Sequence, residues 1–246
     1  MIEIGGVVLD SPRIVGVVDS IDAAIGAEKA GADLLEVRID LLDRGIEVTG
    51  FLDDVREASS LPTIVTNRPE VEGGAFKGSE NERISMLYTA MGHADAVDVE
   101  LSTATTMNVV IQRAKEQKIP LIVSYHEFNR TPPDEEIMKI LNDARNIGGV
   151  EKVIPKIAVM ANSLGDVLRL LRLTIEASKP LCTIAMGELG KHSRVIAPLY
   201  GSALTYGHVD GAKAPGQLSV SELKAALDIC QGSRNENDIW SNRKSC

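Results

Sequence analysis

The stretch Val153-Ile154-Pro155-Lys156-Ile157-Ala158-Val159 places a single charge in the middle of an otherwise apolar, β-branched run. No polar residue alternates with the apolar ones, so the segment reads as a strand covered on both faces, as in a parallel sheet. Comparable runs lie before it at Pro120 to His126 and Ala96 to Leu101, and after it at Leu181 to Met186 and Leu204 to Gly207. Arg13 to Val18, Leu34 to Asp40 and Pro62 to Arg68 complete a set of eight. Helically spaced segments separate or follow them, among them Ile21 to Ala30, Ser79 to Met91, Thr106 to Gln117, Asp134 to Asn146, Leu164 to Ala177 and Ser219 to Gln231. Strand–helix alternation in units of roughly 20 to 35 residues implies parallel pairing through right-handed crossovers. Eight such units in 246 residues predict a (β/α)8 TIM barrel. A doubly wound open sheet competes, but its G-x-G-x-x-G fingerprint after the first strand is missing.

Two ends lie outside the eight units. Ile2-Glu3-Ile4, Gly5-Gly6 and Val7-Val8-Leu9 read as an N-terminal β-hairpin over residues 1–12, because a Gly-Gly pair tolerates the positive φ of a two-residue turn. It would cap the bottom of the barrel. Gly232 follows the last helical segment as a helix-ending glycine, and 232–246 reads as a polar C-terminal tail. Ser219-x-x-Glu222 opens the last helix as a capping box. Residues 1–246 thus read as one domain, with apolar content of 44%, ample for a single core.

Composition narrows the partners. With 35 acidic against 26 basic residues, the net charge of −9 offers no polyanion-binding surface, and three Phe, four Tyr and one Trp supply few stacking platforms. Nucleic acid is therefore not an expected partner. Cys182, Cys230 and Cys246 form neither a disulfide framework nor a C-x-x-C site, and a reducing cytoplasm fits them. No uncharged apolar run approaches the ~18 residues of a membrane span, and the first residues lack a basic export signal. Without His-x-x-x-His, paired cysteines or a calcium-loop spacing, no metal is expected.

In a barrel, chemistry collects at the carboxyl ends of the strands. There the runs end in Glu36-Val37-Arg38-Ile39-Asp40, Thr66-Asn67-Arg68, Asp98 with Glu100, and Ser124-Tyr125-His126, while Lys156 lies inside the sixth run. Any one of these reads equally as a structural ion pair. Five consecutive strands aiming titratable groups at one rim suit a site for a polar, anionic small molecule. Lys156, desolvated in an apolar strand, is a candidate nucleophile able to form a Schiff base; paired with Glu36 or Glu100 it would be inert. His126, at the end of the neighbouring strand, is the natural proton carrier. His93, His192 and His208 read as surface or supporting residues. The glycine-bearing loops Met186 to Arg194 and Gly207 to Gln217 occupy the usual phosphate region of a barrel, and the second could close as a lid. Arg194 could instead clamp a carboxylate.

Taken in order, Glu36-Val37-Arg38-Ile39-Asp40, Thr66 to Gly74, Ser124-Tyr125-His126-Glu127-Phe128 with Thr131-Pro132, Pro155-Lys156, Met186-Gly187 with Ser193-Arg194, and Ala214-Pro215-Gly216-Gln217 resemble type I 3-dehydroquinate dehydratases from Pro12 to about Ile229. The resemblance implies conversion of 3-dehydroquinate to 3-dehydroshikimate in the shikimate pathway, in a cytoplasmic homodimer, with no cofactor. It implies that Lys156 forms the imine, His126 is general acid and base, and Glu72 orients His126. Glu36, Arg38, Arg68, Arg194 and Gln217 would bind the substrate's hydroxyls and carboxylate, and Phe128 and Met186 would wall the imine off from water. The sequence departs from the family pattern at Lys213 and Val17, where serines are common, and Lys213 would supply a second cation to the carboxylate. A phosphosugar lyase of the aldolase type using the same lysine is the alternative enzyme, and a non-catalytic binding barrel the alternative outside catalysis.

Overall fold

Beneath the barrel, β1 (Glu3–Ile4) and β2 (Val7–Val8) form an antiparallel hairpin in which Ile4 faces Val7. Gly5 and Gly6 make the turn at φ of +52° and +87°, which side chains other than glycine's rarely adopt. A Cβ on Gly5 would collide with Pro62 and Asp95, just before two barrel strands, so the hairpin seats against the strands' amino ends. Ile4 is fully buried in the cluster that holds Leu34, Ile64 and Ala96, and it plugs the bottom of the barrel.

In this computed structural model, which describes residues 2–43 and 45–231, the eight predicted runs form one parallel sheet: β3 (Arg13–Val18), β4 (Leu34–Arg38), β5 (Thr63–Thr66), β6 (Ala96–Glu100), β7 (Leu121–Glu127), β8 (Val153–Met160), β9 (Cys182–Met186) and β10 (Leu204–His208). From β3 to β9 each strand pairs with the next, and β10 pairs with β3 on the other side. The arrangement is the (β/α)8 barrel the alternation predicts. Helices α1 (Ile21–Lys29), α2 (Val48–Ala58), α3 (Glu80–Ala90), α4 (Asn108–Gln117), α5 (Asp134–Arg145), α6 (Leu164–Glu176), α7 (Ser193–Leu199) and α8 (Val220–Gln231) form the outer layer. Capping follows the sequence: Ser79, Ser163 and Ser219 each accept from the backbone N–H three residues on, and the carboxylate at that position answers the serine's own N–H. The tail over 232–246 and the helix-ending role of Gly232 lie outside the described residues.

Because side chains alternate along a strand, odd-numbered residues of β4 to β8, such as Val37, Val65, Val97 and Val123, pack outward against helices, and even-numbered ones point into the barrel. Between β9 and β10 the ladder is replaced by side chains. Ser202 Oγ accepts from Thr183 N at 3.1 Å and donates to the Leu204 carbonyl at 3.0 Å, while Ser193 Oγ accepts from Ala185 N at 3.1 Å. The seam brings the start of α7, and with it Arg194, over the barrel mouth.

Candidate active site

The inward positions change character from bottom to top. Leu34, Ile64, Ala96, Ile122 and Ile154 make an aliphatic floor; two residues further along the same strands stand Glu36, Thr66, Asp98, Ser124 and Lys156. Lys156, only 5% exposed, has its Nζ 3.1 Å from Asp98 Oδ2 and 3.3 Å from Glu36 Oε1, and rests 4.0 Å from the centroid of the Tyr206 ring. Asp98 also faces Arg68 Nη2 at 2.9 Å and accepts from Ser124 Oγ at 2.6 Å. Burial alone would raise its pKa, but Arg68 and Lys156 hold it well below the usual carboxylate range. Glu100 is not a partner of Lys156, contrary to one sequence-based pairing. Its two oxygens are held by Arg68 Nη1 and Arg83 Nη1, each at 2.6 Å, a level nearer the rim.

His126 stands one residue before the end of β7, the neighbouring strand, with Nδ1 2.9 Å from Glu72 Oε2. Burial pushes its pKa well below 6.5, and the positive charges of Arg68 and Lys156 push the same way. The imidazole is therefore neutral at neutral pH: it donates from Nδ1 to Glu72 and keeps a lone pair on Nε2. Burial raises the pKa of Glu72. The other oxygen of Glu72 accepts a short hydrogen bond from Ser102 Oγ. Glu72 is carried by the loop after β5, which can turn as it does because Gly73 adopts φ +76° and because a Cβ on Gly74 would lie 1.9 Å from the Arg68 carbonyl oxygen. Phe128 stacks near His126, with ring centroids 6.4 Å apart.

At the rim, Arg38 forms a two-pronged pair with Asp40 at 2.8 and 2.6 Å. Arg194 is the exception among the site's cations. It is 2% exposed, and its guanidinium donates only to the carbonyls of Gly216 at 2.9 Å, Pro215 at 3.2 Å and Tyr206 at 3.5 Å. Burial lowers its pKa to about 10. Lys213 lines the same cavity, but its Nζ is taken by Asp19 at 2.7 Å and Asp210 at 3.4 Å. Gln217 accepts from Lys213 N at 2.7 Å, which fixes its amide at the mouth.

The residues given roles in the site line one cavity: the catalytic candidates Lys156, His126 and Glu72, the polar binders, and the walls Phe128 and Met186. Sequence reasoning did not give Asp98 its place against the lysine, nor name Ser102 or Tyr206. Asp98 was visible as a charge in an apolar strand, and Tyr206 as an aromatic in a chain with few of them. Ser102 carried no signal.

The loops over the β9 and β10 ends spend their amide groups internally. Gly187 N donates to the Pro215 carbonyl, Gly190 N to Gly187, Ser193 N to Gly190, Arg194 N to Lys191 and Gly211 N to His208 Nδ1. Those amide groups are not free to cradle a phosphate. Among the described residues no group of three or more His, Cys, Asp and Glu is placed to hold a metal ion, and no helix is long and apolar enough to cross a membrane.

Comparison with known proteins gives one family. The model for type I 3-dehydroquinase matches residues 14–234. The 3-dehydroquinate dehydratase of Methanocella arvoryzae is 42% identical over 219 residues, 89% of this chain and 96% of that protein. That of Methanosarcina barkeri is 43% identical, covering 94% of this chain and 100% of the other. Among solved structures, the 3-dehydroquinate dehydratase of Geobacillus kaustophilus superposes with a TM-score of 0.83 at 32% identity, covering 94% of this chain and 95% of that one. A type I 3-dehydroquinate dehydratase from Clostridium difficile, solved with covalently modified comenic acid, gives 0.80 at 30% identity, covering 89% and 92%. Matched along most of its length in sequence and in fold, this chain belongs to the type I 3-dehydroquinase family.

Proposed function

We propose that the protein removes water from 3-dehydroquinate to give 3-dehydroshikimate, through an imine on Lys156 with His126 as the proton carrier. The observation that most supports this is the convergence of a buried lysine and a neutral histidine on one cavity. The lysine must first lose a proton, and Glu36 and Asp98 lie within 3.3 Å of its Nζ to hold the ammonium until then. The free amine adds to the ring ketone, and loss of the carbinolamine oxygen as water leaves a protonated imine. That imine is an electron sink for the adjacent carbon, from which His126 Nε2 takes a proton. The resulting enamine expels the hydroxyl one carbon further on, and His126 returns its proton to that oxygen as it leaves. Water then hydrolyses the imine and frees Lys156, so one water leaves overall and nothing is oxidised.

Glu72 keeps His126 in the tautomer that presents Nε2 as base. Arg194, a buried cation with only carbonyl partners, is suited to the substrate carboxylate, and Arg38, Arg68, Glu36 and Gln217 to its hydroxyls. Phe128 and Met186 limit water at the imine. The match to the type I 3-dehydroquinase family along most of the chain speaks against the phosphosugar alternative. Homodimer formation and a cytoplasmic setting belong to this reading through the family resemblance. The test is mass spectrometry after incubation with 3-dehydroquinate and borohydride. Wild-type protein should carry a reduced adduct on the peptide containing Lys156. Lys156→Ala should give no adduct and no product, and His126→Ala slow adduct formation with almost no enone absorbance. Turnover by Lys156→Ala would refute the mechanism.

A further inference from the structure

Asp40 lies behind the site, outside the set of residues expected to touch substrate, and its side chain is fully buried. Each of its oxygens serves two donors. Oδ1 accepts from Arg38 Nε at 2.8 Å and from the backbone N–H of Arg68 at 3.1 Å; Oδ2 accepts from Arg38 Nη2 at 2.6 Å and from the backbone N–H of Ala75 at 3.0 Å. Arg68 and Ala75 are the two ends of the loop that carries Glu72. Other ties hold the loop as well: Phe76 N donates to the Arg68 carbonyl at 3.3 Å, the Arg68 side chain is held by Asp98, Glu100 and Ser124, and His126 reaches Glu72. Among the described residues, though, Asp40 is the one side chain that accepts from a backbone N–H at each end. The loop's internal hydrogen bonds run from Glu72 N and Gly74 N to the Pro69 carbonyl and from Gly73 N to Glu70, and Ser102 reaches only Glu72.

We propose that Asp40 is a positioning residue that couples the two halves of the site. One carboxylate aims Arg38 into the cavity and clamps both ends of the Glu72 loop, so the substrate-binding arginine and the orienting partner of His126 are set by the same group. The proposal rests on the dehydratase reading for its kinetic test and on geometry alone for its second test. Four donors around two oxygens leave no room for an amide. In Asp40→Asn, whichever way the side chain is turned, its NH2 confronts one Arg38 N–H and one loop N–H where an acceptor stood. Burial would raise the pKa of Asp40, but the bonds from Arg38, Ala75 and Arg68 hold it below the usual range, so the group is an acceptor at working pH.

The experiment is a pair of double-mutant cycles with kcat normalised to borohydride-trappable sites. Asp40→Asn alone should raise KM and lower kcat, each by about tenfold or more. In an Arg38→Leu background the KM effect should vanish and the kcat effect persist; in a Glu72→Gln background the reverse. Unchanged kcat and KM per trappable site, or full multiplicative effects in both backgrounds, would overturn the coupling. Amide exchange supplies the second test, independent of substrate: the N–H groups of Arg68 and Ala75 should lose protection in Asp40→Asn while those of Gly190 and Ser193 do not. Unchanged protection at 68 and 75 overturns the clamp whatever the substrate is. A wild-type protein inert toward 3-dehydroquinate would refute the dehydratase reading, and the exchange result would then judge the clamp. Should Asp40→Asn fail to fold, Asp40→Glu, which keeps the charge but displaces both oxygens, carries the same expectations.

Discussion

Replacing Arg194 by Met should damage substrate capture far more than it damages the fold, and the structure supplies the magnitudes. Burial lowers the pKa of this guanidinium to about 10, so it stays charged at pH 7. The cost of holding that charge in the unliganded protein is about 3 kcal/mol at 1.36 kcal/mol per pKa unit. Met removes the cost but strips donors from the carbonyls of Gly216, Pro215 and Tyr206, at roughly 1 kcal/mol each. The two sums nearly cancel, and unfolding free energy should move by less than about 1 kcal/mol. A carboxylate that pairs with Arg194 gains charge-assisted hydrogen bonds worth about 3 kcal/mol, so kcat/KM for 3-dehydroquinate should fall roughly a hundredfold. The assay is enone absorbance for turnover, denaturant melts for stability, and borohydride trapping of a cyclic ketone that lacks a carboxylate. Trapping of that ketone should be the same in both proteins. If it falls as much as turnover does, or if kcat/KM for 3-dehydroquinate holds, Arg194 does not read the carboxylate.

Because burial pushes the pKa of His126 well below 6.5, its base form persists into acid: from pH 7 to pH 5.5 kcat/KM should fall by less than the roughly tenfold an ordinary histidine would lose. Stability has the matching sign, since the unfolded chain takes up this proton near 6.5 and the folded one only at lower pH, so the contribution of His126 weakens as pH falls through that window. Gly74→Ala should lower kcat more than tenfold with KM less affected, because its Cβ meets the Arg68 backbone and displaces the Glu72 loop. Lys213→Ser should change KM less than about threefold, because Asp19 and Asp210 already neutralise the ammonium; a tenfold rise would make Lys213 a second carboxylate ligand.

The eight strands were legible because buried parallel strands write themselves as uninterrupted β-branched runs, and the observed β3 spans the same Arg13–Val18 as the predicted run. Helices α2 and α7 were not singled out. The first has Thr49 and Gly50 in its opening turn, and the second is seven residues long with Pro198 inside it, so neither offers a sustained helical period. Site membership was legible for a related reason: a charge in such a run must face something. What it faces was not. Lys156 meets Asp98 rather than Glu100 because strand stagger puts Asp98 at its level, while Arg83, reaching in from α3, captures Glu100. That contact joins residues 17 apart through tertiary packing, which no periodicity reports.

Among the described residues, the hairpin closes the bottom of the barrel. Below Lys156 lie the aliphatic floor and then Ile4. On the proposed mechanism, substrate, both waters of the imine cycle and the proton that Lys156 gives up therefore share the open end of the barrel, past His126. Entry and exit then share a single shaft, and whatever blocks the mouth stops the proton as surely as the substrate.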